Sequence, residues 1–309
     1  MADGHTVRRI DWPGIADAAG SQGARGSILF FAGRGDNYEK YLESLEKWHR
    51  AGWRVTGADW RGQAGSGRLG RDDVTGHIED YSVWIDDLAL IWQDWAKAAP
   101  GPHILGGHSM GGHLVMRALV EKQVTPDAVF LSAPMLGFQT PPLPLPLPVL
   151  HGAARLMNLL GDPMRQAWKW SEKPGEMPAA RIDLLTHDRD RYEDEQYWRD
   201  ARPELVMGPA SWRWVERGYA SLRILEAEGA MESVDVPVLI VSTTSDKLVS
   251  HAANVRAAQR LPKGELLEFG EEAHHEILRE VDDVRGRAMA AIAEFLDRVA
   301  PAKEIPAQP

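Results

Sequence analysis

A serine flanked by glycines is the residue of this chain best suited to nucleophilic chemistry. Residues Gly107-His108-Ser109-Met110-Gly111 spell the pattern G-x-S-x-G, between an apolar run and a run compatible with a helix. This pattern predicts a sharp strand-to-helix turn that lifts the Ser109 hydroxyl above the edge of a sheet. The turn needs small residues two positions either side of the serine, and Gly107 and Gly111 provide them. A glycine-rich turn that holds an ordinary serine is the alternative interpretation.

A serine hydroxyl becomes an effective nucleophile when a base lies within hydrogen-bond distance and a carboxylate orients that base. In the arrangement associated with this motif, the chain order is serine, acid, histidine. Asp246 ends a loop after the apolar run 237–241, so it is predicted at the same sheet edge as Ser109. Capping of the next helix is the alternative role for this aspartate. His274 and His275 follow the next short strand, and loop position alone does not choose between them.

Acyl transfer also needs two hydrogen-bond donors for the oxyanion that forms on the substrate. The backbone N–H of Met110, directly after the serine, is expected to be one of them. The second is expected from a loop after an early strand, and residues 32–36 form such a loop. We assign this donor to the backbone N–H of Arg34. The simplest expectation for the Arg34 side chain is an ion pair with Asp36 at the surface.

Short apolar runs alternate with helical patterns along the chain, which is typical of a parallel sheet covered by helices. Apolar residues recur at spacings of three and four from Tyr81 to Trp95, and a similar pattern covers residues 284–299. Both patterns predict amphipathic helices that pack on a sheet. Strands are predicted at residues 27–32, 53–58, 103–107, 128–132 and 236–241, with a weaker candidate at 266–269.

The alternation fails between about residues 135 and 225. Proline and leucine alternate over 141–148, and this run predicts an extended connector because proline lacks the N–H donor and fixes φ. We predict a core of residues 1–134 and 226–309, with a mainly helical cap of 135–225 over the carboxyl edge of the sheet. A packing subdomain without a role in substrate binding is the alternative. Two of five cap tryptophans are expected to line a pocket; the five are Trp168, Trp170, Trp198, Trp212 and Trp214.

Composition excludes several classes of chemistry and partner. The 309 residues carry a net charge of −10, so no nucleic-acid partner is expected. The chain has no cysteine, which excludes disulfides, thiolate catalysis and cysteine-bound metals. We expect no secretory signal, and no apolar stretch reaches the roughly 20 residues that a membrane-spanning helix needs. A cytoplasmic protein that contacts the inner membrane surface at most transiently is expected.

Two further patterns suggest other sites and are set aside. Residues 65–70 fit G-x-G-x-x-G, a pattern found in dinucleotide-binding proteins. No apolar helical stripe follows them, so we expect no helix N-terminus there to bind a pyrophosphate. His108 and His113 have the wrong spacing to share a metal ion on one helix face, and H-E-x-x-H does not occur. We therefore expect neither a cofactor nor a metal.

The chain resembles serine α/β-hydrolases of the bacterial lysophospholipase and monoacylglycerol lipase type. The family pattern places the base directly before Glu-Ile/Leu-Leu, which selects His275 over His274, and it also matches Asp246. Residues 32–33 are Ala-Gly where many relatives have His-Gly, and Ala64 stands where glycine is usual. Neither departure removes a catalytic group. The matching stretches are 32–34 with Tyr38 and Tyr41, 59–63, 65–68, 108–112, 132–135, 185–187 and 275–278.

The resemblance implies an α/β-hydrolase fold and hydrolysis of a small lipid ester, either a monoacyl glycerolipid or a lysophospholipid. In this reading Ser109 attacks the ester, His275 is the base and Asp246 orients it. The N–H groups of Arg34 and Met110 form the oxyanion hole. A short-chain carboxylesterase, an acyltransferase that uses the same acyl-enzyme, and a non-catalytic ligand-binding protein on this fold are the alternatives.

Overall fold

The computed structural model describes residues 1, 3–14, 24–139, 145–169 and 179–301, with the side chains of 179 and 180 left aside. Its strands are β1 (Arg9–Trp12), β2 (Ser27–Phe31), β3 (Arg54–Ala58), β4 (His103–His108), β5 (Ala128–Ser132), β6 (Val238–Thr243) and β7 (Gly264–Phe269). They form one sheet in the order β1-β3-β2-β4-β5-β6-β7. β1 runs antiparallel to β3, and every other neighbouring pair is parallel.

The predicted, mostly parallel α/β sheet flanked by helices is confirmed. Every residue of β2, β5 and β6 is buried, which is why these strands read as continuous apolar runs in the sequence. The predicted strands coincide with β2–β7, and their ends differ by no more than two residues. Sequence reasoning missed β1, whose alternating charged and apolar residues are only partly buried at the sheet edge.

Helices cover both faces of the sheet and form the segment between β5 and β6. The predicted amphipathic helices are present as α2 and α9, each with its apolar stripe buried. In the part of the chain that the structure describes, no helix is both long enough and apolar enough to cross a membrane. The helices are α1 (Leu42–Arg50), α2 (Ser82–Ala98), α3 (Met110–Val120), α4 (Leu147–Leu160), α5 (Ala179–Leu185), α6 (Arg189–Ala201), α7 (Trp212–Glu226), α8 (His251–Arg260) and α9 (Asp282–Val299).

Four helices, α4 to α7, lie between β5 and β6 in the chain, within the segment predicted to be a cap. Helix α7 packs against both α4 and α3, so it links this segment to the core. The extended connector was predicted to continue to Pro148, and this is wrong because Leu147 and Pro148 begin α4. Proline is accepted in a first helical turn, where its missing N–H has no intrahelical partner. Residues 141–144 of the predicted connector lie outside the described residues, and the cap boundaries stay a prediction.

Candidate active site

Ser109 occupies the turn between β4 and α3, at the carboxyl edge of the sheet. Its φ of 52° and ψ of −119° form a conformation that is costly for a residue with a side chain. The turn is held by two backbone hydrogen bonds, from Ser109 N–H to the Ser132 carbonyl (3.0 Å) and from Met135 N–H to the Ser109 carbonyl (2.9 Å). A Cβ on Gly107 would lie 2.7 Å from the backbone nitrogen of Gly112, so this turn needs glycine there.

Asp246 and His275 are in direct contact, although 29 positions separate them in the chain. Nδ1 of His275 lies 2.7 Å from Oδ2 of Asp246, and both residues are buried. Oδ1 of Asp246 accepts hydrogen bonds from the backbone N–H groups of Leu248 (2.8 Å) and Val249 (2.9 Å). Helix α8 is capped by Ser250, so Asp246 does not cap it. The two loops meet because they follow β6 and β7, which are parallel neighbours.

Burial and charge act against each other on the pKa values of this pair. Desolvation lowers the pKa of His275, but the charge and hydrogen bond of Asp246 outweigh it and raise the pKa above its ordinary value. Desolvation raises the pKa of Asp246, but the charge and hydrogen bond of His275 and two backbone N–H groups lower it overall. The pair therefore favours an imidazolium beside a carboxylate, which is the state that forms when the imidazole takes a proton from a nucleophile.

His274 is adjacent to His275 in the chain, but its ring has different partners. Its Nε2 lies 3.0 Å from Nε2 of His187, and its Nδ1 lies 3.1 Å from the carbonyl oxygen of Asp183. Because adjacent side chains leave the backbone in different directions, one of the two histidines faces Asp246 and the other does not. The structure brings His275 to Asp246, as the resemblance implied.

Ser109 and His275 line a common cavity of about 490 Å³ between the sheet edge and the segment α5–α7. Trp168 and Trp214 contribute to its wall, whereas Trp170 lies outside the described residues. A wider groove of about 940 Å³ beside α1 and α6 contains none of the predicted catalytic residues. The apolar wall of the cavity consists of Met135, Phe138, Trp168, Leu184, Leu185, Met207, Trp214, Val215, Tyr219, Leu248 and Val249.

The two predicted oxyanion donors belong to two segments that both lie close to the serine. Met110 is the first residue of α3, so its N–H belongs to the first helical turn, where N–H groups point out of the helix. The loop after β2 also lies close to the serine, because a Cβ on Gly33 would lie 3.1 Å from the Cβ of Ser109. Arg34 follows this close contact and lines the cavity. Assignment of these two N–H groups to an oxyanion hole stays a prediction.

The Arg34 side chain does not form the expected surface ion pair with Asp36. Its Nη2 donates to the carbonyl oxygen of Gly208 at 2.7 Å. Asp36 instead accepts a hydrogen bond from Nζ of Lys40 at 2.7 Å. The expectation is wrong because the lysine four residues later comes from a 3-10 helix, Tyr38–Tyr41, which turns its side chain back onto the aspartate.

A buried ion cluster behind the cavity is the part of the site that sequence reasoning missed. Nζ of Lys40 lies 2.7 Å from Asp36, 2.6 Å from Glu276 and 3.1 Å from Glu195. These carboxylates come from the loop after β2, the loop that carries His275, and α6. The four-residue spacing of Asp36 and Lys40 was the one local sign of this cluster in the sequence, because Glu195 and Glu276 are far from Lys40 along the chain. The cluster joins three segments around the proposed catalytic groups.

His108 packs beside the imidazole of His275, with 4.8 Å between ring centroids. Burial, together with the charge of His275, lowers the pKa of His108 to about 4, so its ring is neutral near pH 7. Its Nδ1 lies 3.1 Å from the carbonyl oxygen of Ser132. Across the described ranges of the chain, no set of three or more His, Asp or Glu side chains is arranged to hold a metal ion.

Comparison with protein families gives a match over most of the chain. A family model described as "Serine aminopeptidase, S33" matches residues 22–282. Among curated proteins, lysophospholipase L2 of Escherichia coli strain K12 is 29% identical over 283 residues, which cover 88% of this chain and 80% of that protein.

Solved structures with the same architecture include two lipases. A soluble variant of monoglyceride lipase from Saccharomyces cerevisiae has a TM-score of 0.74 and 17% identity, and the match covers 96% of this chain and 93% of that one. Monoacylglycerol lipase from Paleococcus ferrophilus has a TM-score of 0.69 and 21% identity, covering 94% of this chain and 98% of that one. These similarities establish the α/β-hydrolase fold that the sequence predicted.

Proposed function

The chain belongs to the serine aminopeptidase S33 family of α/β-hydrolases, and from this membership we propose that it hydrolyses carboxylic esters of single-chain glycerolipids. The relative named lysophospholipase L2 and the neighbours named monoglyceride lipase and monoacylglycerol lipase support this substrate class. One observation carries the proposal: Ser109 shares a cavity with His275, whose Nδ1 is held by Asp246, and much of the wall of that cavity is apolar. Such a wall suits an acyl chain beside a serine nucleophile.

In the proposed first half-reaction, Nε2 of His275 removes the proton from Oγ of Ser109 as Oγ attacks the ester carbonyl carbon. Asp246 holds Nδ1 of His275 and stabilises the imidazolium. The oxyanion accepts hydrogen bonds from the backbone N–H groups of Arg34 and Met110. When the intermediate collapses, the ester C–O bond breaks and His275 returns its proton to the leaving alcohol.

In the second half-reaction, water replaces the alcohol. His275 removes a proton from the water as its oxygen attacks the acyl-enzyme. The bond to Oγ of Ser109 then breaks, the fatty acid leaves and the serine regains its proton from His275. An acyltransferase would follow the same path with a second alcohol in place of water, so product analysis with an added alcohol separates these two activities.

The proposal includes transient contact of a cytoplasmic enzyme with a lipid surface. Helix α4 carries apolar side chains that face solvent, and Leu159 and Leu160 are 72% and 78% exposed. A net charge of −10 opposes electrostatic docking on anionic lipid, so contact would depend on apolar side chains such as these.

We predict that Ser109→Ala lowers kcat for a monoacyl ester by at least about 10³-fold, because the acyl-enzyme no longer forms. The variant keeps its fold, since alanine preserves the Cβ and the backbone of the turn. The measurement is initial rate with circular dichroism, together with labelling by a fluorophosphonate probe. Ser132→Ala is a matched control, because Ser132 is buried on the next strand and does not line the cavity. Substantial residual activity or labelling of Ser109→Ala would refute the assignment.

A further inference from the structure

The loop after β2 carries a proposed oxyanion donor, and a side chain from the loop after β3 holds its backbone. We infer that Gln63 is a positioning residue for ester cleavage, because its amide oxygen fixes the loop that aims the Arg34 N–H at the oxyanion. The inference rests on the proposed function, since it concerns how the same active site places its donor. Gln63 acts through the backbone of Gly35 and does not itself line the cavity.

The side chain of Gln63 is a buried acceptor for the N–H of Gly35. Oε1 of Gln63 lies 2.7 Å from the backbone nitrogen of Gly35, and only 3% of Gln63 is exposed. Because a backbone N–H donates and an amide nitrogen cannot accept, the oxygen of Gln63 must face Gly35. Gly35 has a φ of 73°, in the left-handed region that glycine adopts without steric cost. This contact fixes the orientation of the peptide between Arg34 and Gly35.

The peptide between Ala32 and Gly33 is held at both of its polar ends. Nε1 of Trp60 donates to the Ala32 carbonyl oxygen at 2.9 Å, and the N–H of Gly33 donates to Oδ2 of Asp36 at 3.3 Å. Trp60 also stacks on Phe31, with 4.3 Å between ring centroids. Because a peptide unit is planar, these two hydrogen bonds fix the orientation of the whole unit.

The proposed oxyanion donor belongs to the peptide between these two fixed neighbours. The Arg34 N–H lies in the plane of the Gly33–Arg34 peptide, so its direction follows from the peptide units before and after it. Trp60 and Asp36 hold the unit before it, and Gln63 holds the unit after it. An oxyanion donor is most effective when it already points at the developing charge and need not reorient. Loss of the Gln63 contact would release one side of this arrangement.

The turn that carries Gln63 is held by hydrogen bonds of its own backbone. The N–H of Gln63 donates to the Trp60 carbonyl at 3.0 Å, and the N–H of Ser66 donates to the Gln63 carbonyl at 2.8 Å. Gly62 and Ala64, on either side of Gln63, have φ values of 76° and 44°. The turn follows β3, the parallel neighbour of β2, so both loops leave the same edge of the sheet. The position of the Gln63 amide is therefore set by the sheet and by this turn.

The test replaces Gln63 with methionine, which has a similar shape but only a weak acceptor for the Gly35 N–H. Gln63→Met should lower kcat for p-nitrophenyl octanoate by about 10- to 100-fold, because outright loss of an oxyanion donor costs about 10²- to 10³-fold. KM should stay within about twofold of the wild type, since the interaction that is lost acts in the transition state. A wild-type kcat in folded Gln63→Met, or a loss that appears only in KM, would overturn the inference.

A transition-state analogue separates positioning of the donor from a general loss of stability. A trifluoromethyl ketone with the same alkyl chain adds to Oγ of Ser109 and leaves an oxyanion in the same place. Its inhibition constant should rise in Gln63→Met by the same factor by which kcat/KM falls. The acidic limb of the pH profile should not move, because the contact between His275 and Asp246 is left intact. An unchanged inhibition constant, or a shifted acidic limb, would contradict a positioning role.

Two other substitutions at the same position cover the case in which Gln63→Met fails to fold. Gln63→Glu keeps an acceptor oxygen for the N–H of Gly35 and should recover part of the lost kcat. Gln63→Asn keeps the amide but is one methylene shorter, so it should lose the contact and lower kcat as the methionine variant does. A wild-type kcat in Gln63→Asn, or no recovery in folded Gln63→Glu, would count against the inference.

Ser66→Ala is the matched control from the same turn. Ser66 is buried, and its Oγ accepts a hydrogen bond from the backbone N–H of Arg8 at 2.9 Å rather than from the loop after β2. The substitution should lower the free energy of unfolding but leave kcat and the inhibition constant at wild-type values. A fall of kcat in Ser66→Ala equal to that in Gln63→Met would assign the effect to damage of the turn and overturn the inference.

The variant Ser109→Ala distinguishes failure of this inference from failure of the proposed function. If Ser109→Ala cleaves the ester at the wild-type rate, the proposed function itself is contradicted. If Ser109→Ala is inactive while Gln63→Met and Gln63→Asn keep the wild-type kcat, the proposed function stands and only the positioning role of Gln63 is overturned.

Discussion

At the scale of single residues, the contact between His275 and Asp246 determines which protonation state of the imidazole prevails at a given pH. The proposed base acts in its neutral form. Because its pKa is raised above the ordinary value, the neutral form is lost at a higher pH than for a free histidine. The rate constant kcat/KM should therefore fall as the pH decreases through this raised pKa, and it should be highest above it.

We predict that Asp246→Asn shifts this acidic limb to lower pH. The substitution removes the carboxylate charge that raises the pKa of His275, while desolvation still lowers it. The plateau of kcat/KM should also fall by about 10³- to 10⁴-fold, because asparagine no longer orients the imidazole as a base. The measurement is a pH profile of kcat/KM. Asp183→Asn serves as the control, since its exposed side chain is near His274 rather than His275; a profile unchanged in Asp246→Asn would exclude the proposed role.

At Ser109 the sequence alone predicted the backbone turn, whereas at His274 and His275 it did not show which imidazole is the base. The serine turn follows from contiguous residues, and Gly107 and Gly111 are needed by the backbone around it. His274 and His275 share the same loop, so their roles depend on the direction in which the loop backbone points each side chain. A resemblance to a family, rather than spacing, was needed to choose between them.

At the scale of secondary-structure elements, Lys40 connects the 3-10 helix Tyr38–Tyr41 with α6 and with the loop that carries His275. These segments could not be linked from the sequence, because Lys40, Glu195 and Glu276 are separated by long stretches of chain. The edge strand β1 escaped prediction for a different reason, since its pattern is short and half exposed. Long-range pairing and edge positions are features of the folded chain that local periodicity does not encode.

We predict that Lys40→Met lowers the free energy of unfolding by about 3–5 kcal/mol. Three buried carboxylates lose the cation that they share, and buried charges without a partner are costly. Urea denaturation followed by circular dichroism measures this change. Lys47→Met, at an exposed position on α1, is the control and should remain within about 0.5 kcal/mol of the wild type. The double variant Lys40→Met/Glu276→Gln should recover part of the loss; stability equal to wild type in Lys40→Met would contradict the argument.

At the scale of the whole molecule, the cavity forms where the sheet edge meets the helices that follow β5. Its apolar wall combines residues from both parts, such as Phe138 and Leu248 near the strands and Val215 and Tyr219 on α7. The sequence predicted the sheet and an insertion, but the volume and the wall depend on how these parts pack. The preferred acyl length is therefore a property of the assembled molecule.

We predict that kcat/KM rises from acetyl esters toward longer acyl groups, by up to about fourfold for each methylene that the cavity buries. Val215→Trp should shift the preferred acyl group to a shorter one, because the larger side chain fills part of the cavity. Rates on a series of p-nitrophenyl esters from acetyl to palmitoyl test both statements. Ile224→Trp, at an exposed position on the same helix, should keep the wild-type preference. A maximum at acetyl in the wild type would favour a short-chain carboxylesterase.

The half-exposed indole of Trp168 is placed where its fluorescence would respond to a ligand in the cavity. This ring lines the cavity, is 49% exposed and has the guanidinium of Arg34 beside it. Entry of an apolar chain would strip water from the indole and shift its fluorescence emission toward the blue. The molecule thus carries an intrinsic reporter of occupancy, which registers binding in Ser109→Ala even though that variant releases no product.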